Sequence, residues 1–262
     1  MPNSKIALKA KGGFNLIEVC LSLAIFSTAA ALIFLLLNDG FKKWRILNAR
    51  SDSQRRLNRA LQWLKRDLER ADPGQVDHQR IASSPGQGDM LWFLSAEDPS
   101  VSASDQRFSR DTSNGTPRWK RQVLYYLIRP GNYAAVSQGY NCAIDPDPRN
   151  DYYAPHKFLI RKVIDTALDP ERLMSPAAIV PFITAPADYN LSPLSAEPLV
   201  ENCRLIADRM LSFEVSRFDR TLEIDLRVVD INSVDKVAGI GSVSLKNSRF
   251  TQHQKIRLVM RQ

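Results

Sequence analysis

From Phe14 to Leu37 the chain reads FNLIEVCLSLAIFSTAAALIFLLL, and Glu18 is the only charge in these 24 residues. A helix rises about 1.5 Å per residue, so about 20 apolar residues cross the ~30 Å hydrocarbon core of a bilayer. The run is therefore long enough to span. It exceeds the ~7–15-residue apolar core of a secretory signal, and no small-x-small cleavage site follows it. The sequence predicts a retained transmembrane helix at 14–37. Residues 1–13 hold Lys5, Lys9 and Lys11 and no acid. By the positive-inside rule that leader stays cytoplasmic, in the inner (cytoplasmic) membrane, and the bulk of the chain becomes periplasmic or otherwise extracytoplasmic. Lys42, Lys43 and Arg45 flank the far end and reduce the asymmetry.

The net charge of +8 raises the question of a nucleic-acid partner. Its distribution argues against one. Residues 42–70 carry ten Lys or Arg against three acids, whereas 71–262 carry 23 of each sign. The basic excess lies beside the apolar run, and the remainder is neutral. A surface that binds phosphates needs clustered cations.

After the apolar run comes a polar break, Asn38-Asp39-Gly40, and then an amphipathic stretch. Leu57, Leu61, Leu64, Leu68 and Ala71 recur at steps of four and three, one stripe on a helix. Asp72-Pro73-Gly74 is a stop signal, so we expect a stem helix at 38–71 that continues the spanning segment as one long helix, with a bend near Gly40. Residues 72–262 form the expected globular head. Strands are expected at 90–95, 122–128, 157–164, 210–218, 222–229 and 255–260, with a hairpin turn at Phe218–Thr221 and long loops at 97–117, 130–156 and 166–198. Apolar residues on both parities of 123–128 predict a strand covered on both faces. The fold class expected is α+β: a long N-terminal helix packed on a mainly antiparallel sheet.

Glu18 does not suit a plain anchor, because a carboxylate in a spanning helix is costly and is usually there for a partner. The junction before it is also specific: Lys11-Gly12-Gly13-Phe14, with Glu18 four residues after the Phe. On these residues the chain resembles the prepilin-type N-terminal motif of type IV pilins and type II secretion pseudopilins. The resemblance implies that a prepilin peptidase cuts between Gly13 and Phe14 and methylates the new amine. It also implies that Glu18 is the glutamate that pairs with a neighbouring subunit's amine during assembly. Asn15 stands where Thr is commoner. Residues 24–26, 53–71 and 117–127 resemble the J-type minor pseudopilin branch and its type IV minor pilin counterpart. Residues 122–133 and 156–165 resemble the cyanobacterial pseudopilins of hormogonium polysaccharide secretion. The implied role is a minor structural subunit working with other pilins or pseudopilins and an inner-membrane assembly platform. The alternatives are a single-pass membrane enzyme and a DNA-uptake pilus subunit.

Other candidate chemistry is sparse. His78, His156 and His253 have no second ligand at metal spacing. Gly239-Ile240-Gly241-Ser242 has neither the glycine order of a phosphate loop nor the nucleophile elbow. Asp145, Asp147 and Asp151 are a calcium candidate, but the intervening prolines and the missing closing Glu depart from an EF-hand, and we read a solvated turn. Cys142 and Cys203 both fall in the extracytoplasmic part, where a disulfide is permitted; buried thiols are the other reading. Cys20 is read as packing. We expect no catalytic residue and no cofactor.

Overall fold

A computed structural model describes residues 15–81, 88–97, 110–111, 113–136, 156–167, 172–219, 221–229 and 251–259. Helix α1 runs Leu16–Leu68 without interruption. The polar Asn38–Gly40 segment lies inside it, so the spanning stretch and the stem are one helix, as expected. Asp39 and Lys43, one turn apart, form a 2.8 Å ion pair, and a single Gly costs only about 1 kcal/mol in a helix interior. The end differs from expectation. Ala71 is not the last residue of the stripe but the first of a strand.

Contacts divide the chain into Met1–Asn48 and Ala49–Gln262. In the first unit every described residue is exposed, including Leu16, Phe26, Phe34 and Leu36. Its best 18-residue window has a mean hydropathy of 2.5, so this helix is long and apolar enough to cross a membrane. The Ser27 and Thr28 hydroxyls are satisfied inside the helix, which suits a hydrocarbon surrounding. Ser27 donates to the Leu23 carbonyl at 2.5 Å, and Thr28 to that of Ile25 at 2.8 Å.

The second unit is built on one antiparallel sheet whose spatial order is its sequence order. Its strands are β1 (Ala71–Arg80), β2 (Asp89–Ser95), β3 (Arg121–Ile128), β4 (Lys157–Ile164), β5 (Val200–Phe218), β6 (Thr221–Val229) and β7 (Thr251–Val259). One face packs on the C-terminal part of α1, where Leu57, Leu64 and Ala60 are fully buried against Leu91, Phe93, Val123 and Leu159. Burying each such Leu is worth about 1.5–3 kcal/mol. The opposite face buries Met90, Trp92, Leu124, Tyr126 and Ile160. There the 172–199 segment lies across the strands, inserting Ile179 and Leu194 from two short helices. β3 is thus covered on both faces, as its two apolar parities require.

β5 has 19 residues, and its halves have different neighbours. Val200–Met210 pairs with β4, and Met210–Phe218 pairs with β6. The edge of the second half curls onto the ends of β1 and β2. The Val215 amide donates to the Asp89 carboxylate at 2.7 Å, and Arg217 donates to the Val76 carbonyl at 2.7 Å. Gly88 is required here, because a Cβ would stand 2.7 Å from the Phe213 carbonyl oxygen. Side chains thus occupy edge groups that could otherwise recruit a foreign strand. Phe218 pairs with Thr221 across the expected hairpin, where Asp219 takes a left-handed φ of 53°.

Candidate assembly and anchoring site

The described chain begins at the turn that carries Glu18. Asn15 precedes the helix, and its carbonyl accepts from the amides of Glu18 at 2.9 Å and Val19 at 3.2 Å. The Glu18 carboxylate returns to the Asn15 amide at 3.3 Å. This is the carboxylate half of a capping box, which satisfies one orphan amide at the helix start. Glu18 therefore has a local role that its sequence position did not announce. Gly13 and Phe14, the residues of the expected cleavage, lie outside the described residues.

The same helix then presents Leu16 to Leu47, every one of them exposed. Exposed apolar area on this scale marks a membrane or partner surface in a folded protein. Beyond Leu37 its character changes within one turn: Phe41, Lys42, Lys43, Trp44 and Arg45 follow in succession, all exposed.

In the head, the polar groups that stand out hold the structure together. Asp67, at the end of α1, is buried. One oxygen accepts from Arg161 of β4 at 2.5 Å and from the Tyr125 hydroxyl of β3 at 2.6 Å. The other accepts from Arg66 at 3.1 and 3.2 Å. Arg161 also donates to Glu97. Burial pulls the Arg161 guanidinium down, but Asp67, Tyr125 and Glu97 outweigh it and hold it above its ordinary value. Burial, then Asp67, pushes the Tyr125 phenol well above its usual range. The Trp63 ring lies 3.7 Å from Arg66 and 5.3 Å from Arg204, a cation–π bracket over the network. A fixed cation with paired acids and a neutral phenol suits structure better than proton transfer.

On the opposite face Lys162 is fully buried and its ammonium uses three acceptors: Glu197 at 2.6 Å, Thr184 at 2.7 Å and the Phe182 carbonyl at 2.8 Å. It ties the 172–199 segment to β4. Cys203, beside it on β5, is a half-buried thiol that burial pushes up to about 11. Its expected partner Cys142 and the acidic candidates Asp145, Asp147 and Asp151 lie outside the described residues. His78 and His253 sit on β1 and β7, and His156 directly precedes β4. Among the described residues, no three His, Cys, Asp or Glu converge to hold a metal.

Sequence reasoning missed Asp67, Glu97, Arg161, Lys162 and Glu197. Their only sequence signal was two adjacent charges, Arg161 and Lys162, between the apolar residues Phe158–Ile160 and Val163–Ile164 of β4. Comparison with family models, curated proteins and solved structures finds no match to this chain.

Proposed function

We propose that this chain is a minor pseudopilin-like structural subunit of a type II secretion or type IV pilus-like assembly. It is anchored by α1, trimmed by a prepilin peptidase between Gly13 and Phe14, and inserted into a short fibre with other pilins or pseudopilins at an inner-membrane platform. The observation that carries the reading is the joined motif: a basic leader, Gly13-Phe14, and Glu18 at the start of an apolar helix that goes on into a stem. Physical logic links its parts. Cutting the leader creates an amine at Phe14, and a carboxylate from a neighbour offsets the cost of holding that cation in lipid. The C-terminal part of α1, Leu57 to Leu68, belongs to the head's core, so the head is built on the same helix that carries the anchor.

The test is the intact mass of protein purified from membranes of a host with active prepilin peptidase. The expected chain begins at Phe14 and carries a methyl group, and Gly13→Arg leaves the leader attached. A parent chain that still begins at Met1 in that host would overturn the reading.

A further inference from the structure

We propose that Phe41–Arg45 forms a collar that seats in the headgroup layer of the outer leaflet and selects anionic phospholipid. The inference rests on α1 crossing a membrane and needs nothing from the pilus reading. Leu16 to Leu37 spans roughly 32 Å at 1.5 Å per residue, which matches the hydrocarbon core. Phe41 to Arg45 then falls roughly 6–12 Å further on. Headgroups add about 5–8 Å to each side of the core, so a tilt of roughly 30°, within the range of spanning helices, brings the whole collar into that layer.

The five residues have the chemistry of an interfacial anchor. Phe41 and Trp44 are 61% and 60% exposed. Trp44 carries an indole N–H on an apolar ring, the kind of side chain that concentrates at headgroup level, and Phe41 adds an apolar ring beside it. Lys43 is partly neutralised by Asp39 at 2.8 Å. Lys42 and Arg45 make no ion pair among the described residues, which leaves two cations to meet phosphate. Their arrangement favours a lipid over an apolar partner helix. At about 100° per residue, Phe41, Lys42, Trp44 and Arg45 lie within roughly 160° of the helix circumference, and Lys43 lies opposite. The stripe at steps of three and four that a partner helix would read runs from Phe41 to Trp44 and Arg45 and carries a cation. Two rings and two cations on one side, at the end of an apolar span, suit the headgroup layer.

The test uses the full chain. Membranes are first washed with alkaline carbonate, and the retained protein is extracted in neutral detergent. It is then titrated with phosphatidylglycerol or phosphatidylcholine of the same acyl chains, and bound lipid is counted by native mass spectrometry. We expect phosphatidylglycerol to be retained on the order of tenfold better, from two cations near an anionic surface. Lys42→Gln with Arg45→Gln brings the two lipids to near parity, Trp44→Ala weakens both, and 0.5 M salt weakens the preference. Replacing Lys5, Lys9 and Lys11 by Gln leaves the preference in place, which separates the collar from the leader. Equal retention of both lipids by the parent, or a preference unchanged in the Lys42/Arg45 variant, overturns the collar while leaving the anchor intact. Loss of the chain in the carbonate wash overturns the anchor and the collar together.

Discussion

Arg161 of β4 and Asp67 of α1, 94 residues apart, meet at 2.5 Å and are almost completely buried. The pair joins the end of the stem to the centre of the sheet. Burying two charges recovers little net stability, but removing one partner strands the other. Arg161→Met leaves Asp67 and Glu97 without their shared cation and should cost about 3–5 kcal/mol. Tyr125→Phe removes one neutral donor and should cost about 1 kcal/mol. Replacing Asp67, Glu97 and Arg161 together by apolar residues of similar volume should recover most of the loss. Denaturant unfolding of the full chain in detergent measures all three. Additive losses in the triple variant would show that packing, not charge pairing, carries the site.

Lys162 acts on one segment instead of the whole head. Lys162→Met leaves Glu197 and Thr184 without their ammonium, so the 172–199 segment should open more often. The amides of Ile183 and Ala196, bonded to the Val180 and Ser192 carbonyls, should exchange with solvent at least tenfold faster. The amides of β3 should keep their protection. Equal acceleration in β3 would mean that Lys162 supports the global fold and not the strap.

His156 gives the head an acid-side sensitivity. Burial, with Arg209 and Arg56 opposed by Asp208, pulls its imidazole down to about 4 from 6.5. The folded state therefore holds a neutral ring, while the unfolded chain takes up a proton near pH 6.5. Stability from this group is complete above pH 6.5 and is lost as the pH falls towards 4. The loss is on the order of 3 kcal/mol. His156 has a φ of 64°, which Asn tolerates, so His156→Asn removes the titration with little backbone strain. Thermal unfolding at pH 7 and pH 4.5 should show a smaller drop for the variant than for the parent. Equal drops would place the acid sensitivity elsewhere.

Local patterns in the sequence were readable because each depends on neighbours in the chain. Leu57, Leu61, Leu64 and Leu68 mark the buried side of α1 by period alone, and residues 123–128 declare a strand with two covered faces. β1 escaped because ADPGQVDHQR has Pro, Gly and two Asp and almost no apolar alternation. It exists because β2 offers a ladder from Val76 to Arg80, while the ladder shifts register between Ala71 and Val76, around Pro73-Gly74. The first half of β5 was hidden in the same way, since its pairing with β4 is interrupted by bulges that break the period of two. The Asp67–Arg161 and Lys162–Glu197 contacts depend on which strands become neighbours, and no local period encodes that.

Glu18 now has two candidate roles with different chemical demands. As a cap it accepts from the Asn15 amide at 3.3 Å, and a neutral acceptor serves that purpose nearly as well. As an assembly residue it must balance a cation from another subunit, and only a charge does that. Glu18→Gln should therefore keep helix content and membrane insertion at the parent level and lower crosslinking to partner pilins severalfold. Glu18→Ala should lose both functions, with an uncapped amide costing about 0.5–2 kcal/mol at the helix start. The head should stay folded in both variants, because its core is built from the 49–262 unit's own residues. Crosslinking is measured at matched expression and after leader cleavage has been verified by mass. Assembly that survives in Gln and fails only in Ala would assign Glu18 to capping. Survival in both would reduce α1 to an anchor. A subunit at the fibre end uses only one of its two charges, so the partner's own glutamate is replaced in a parallel arm.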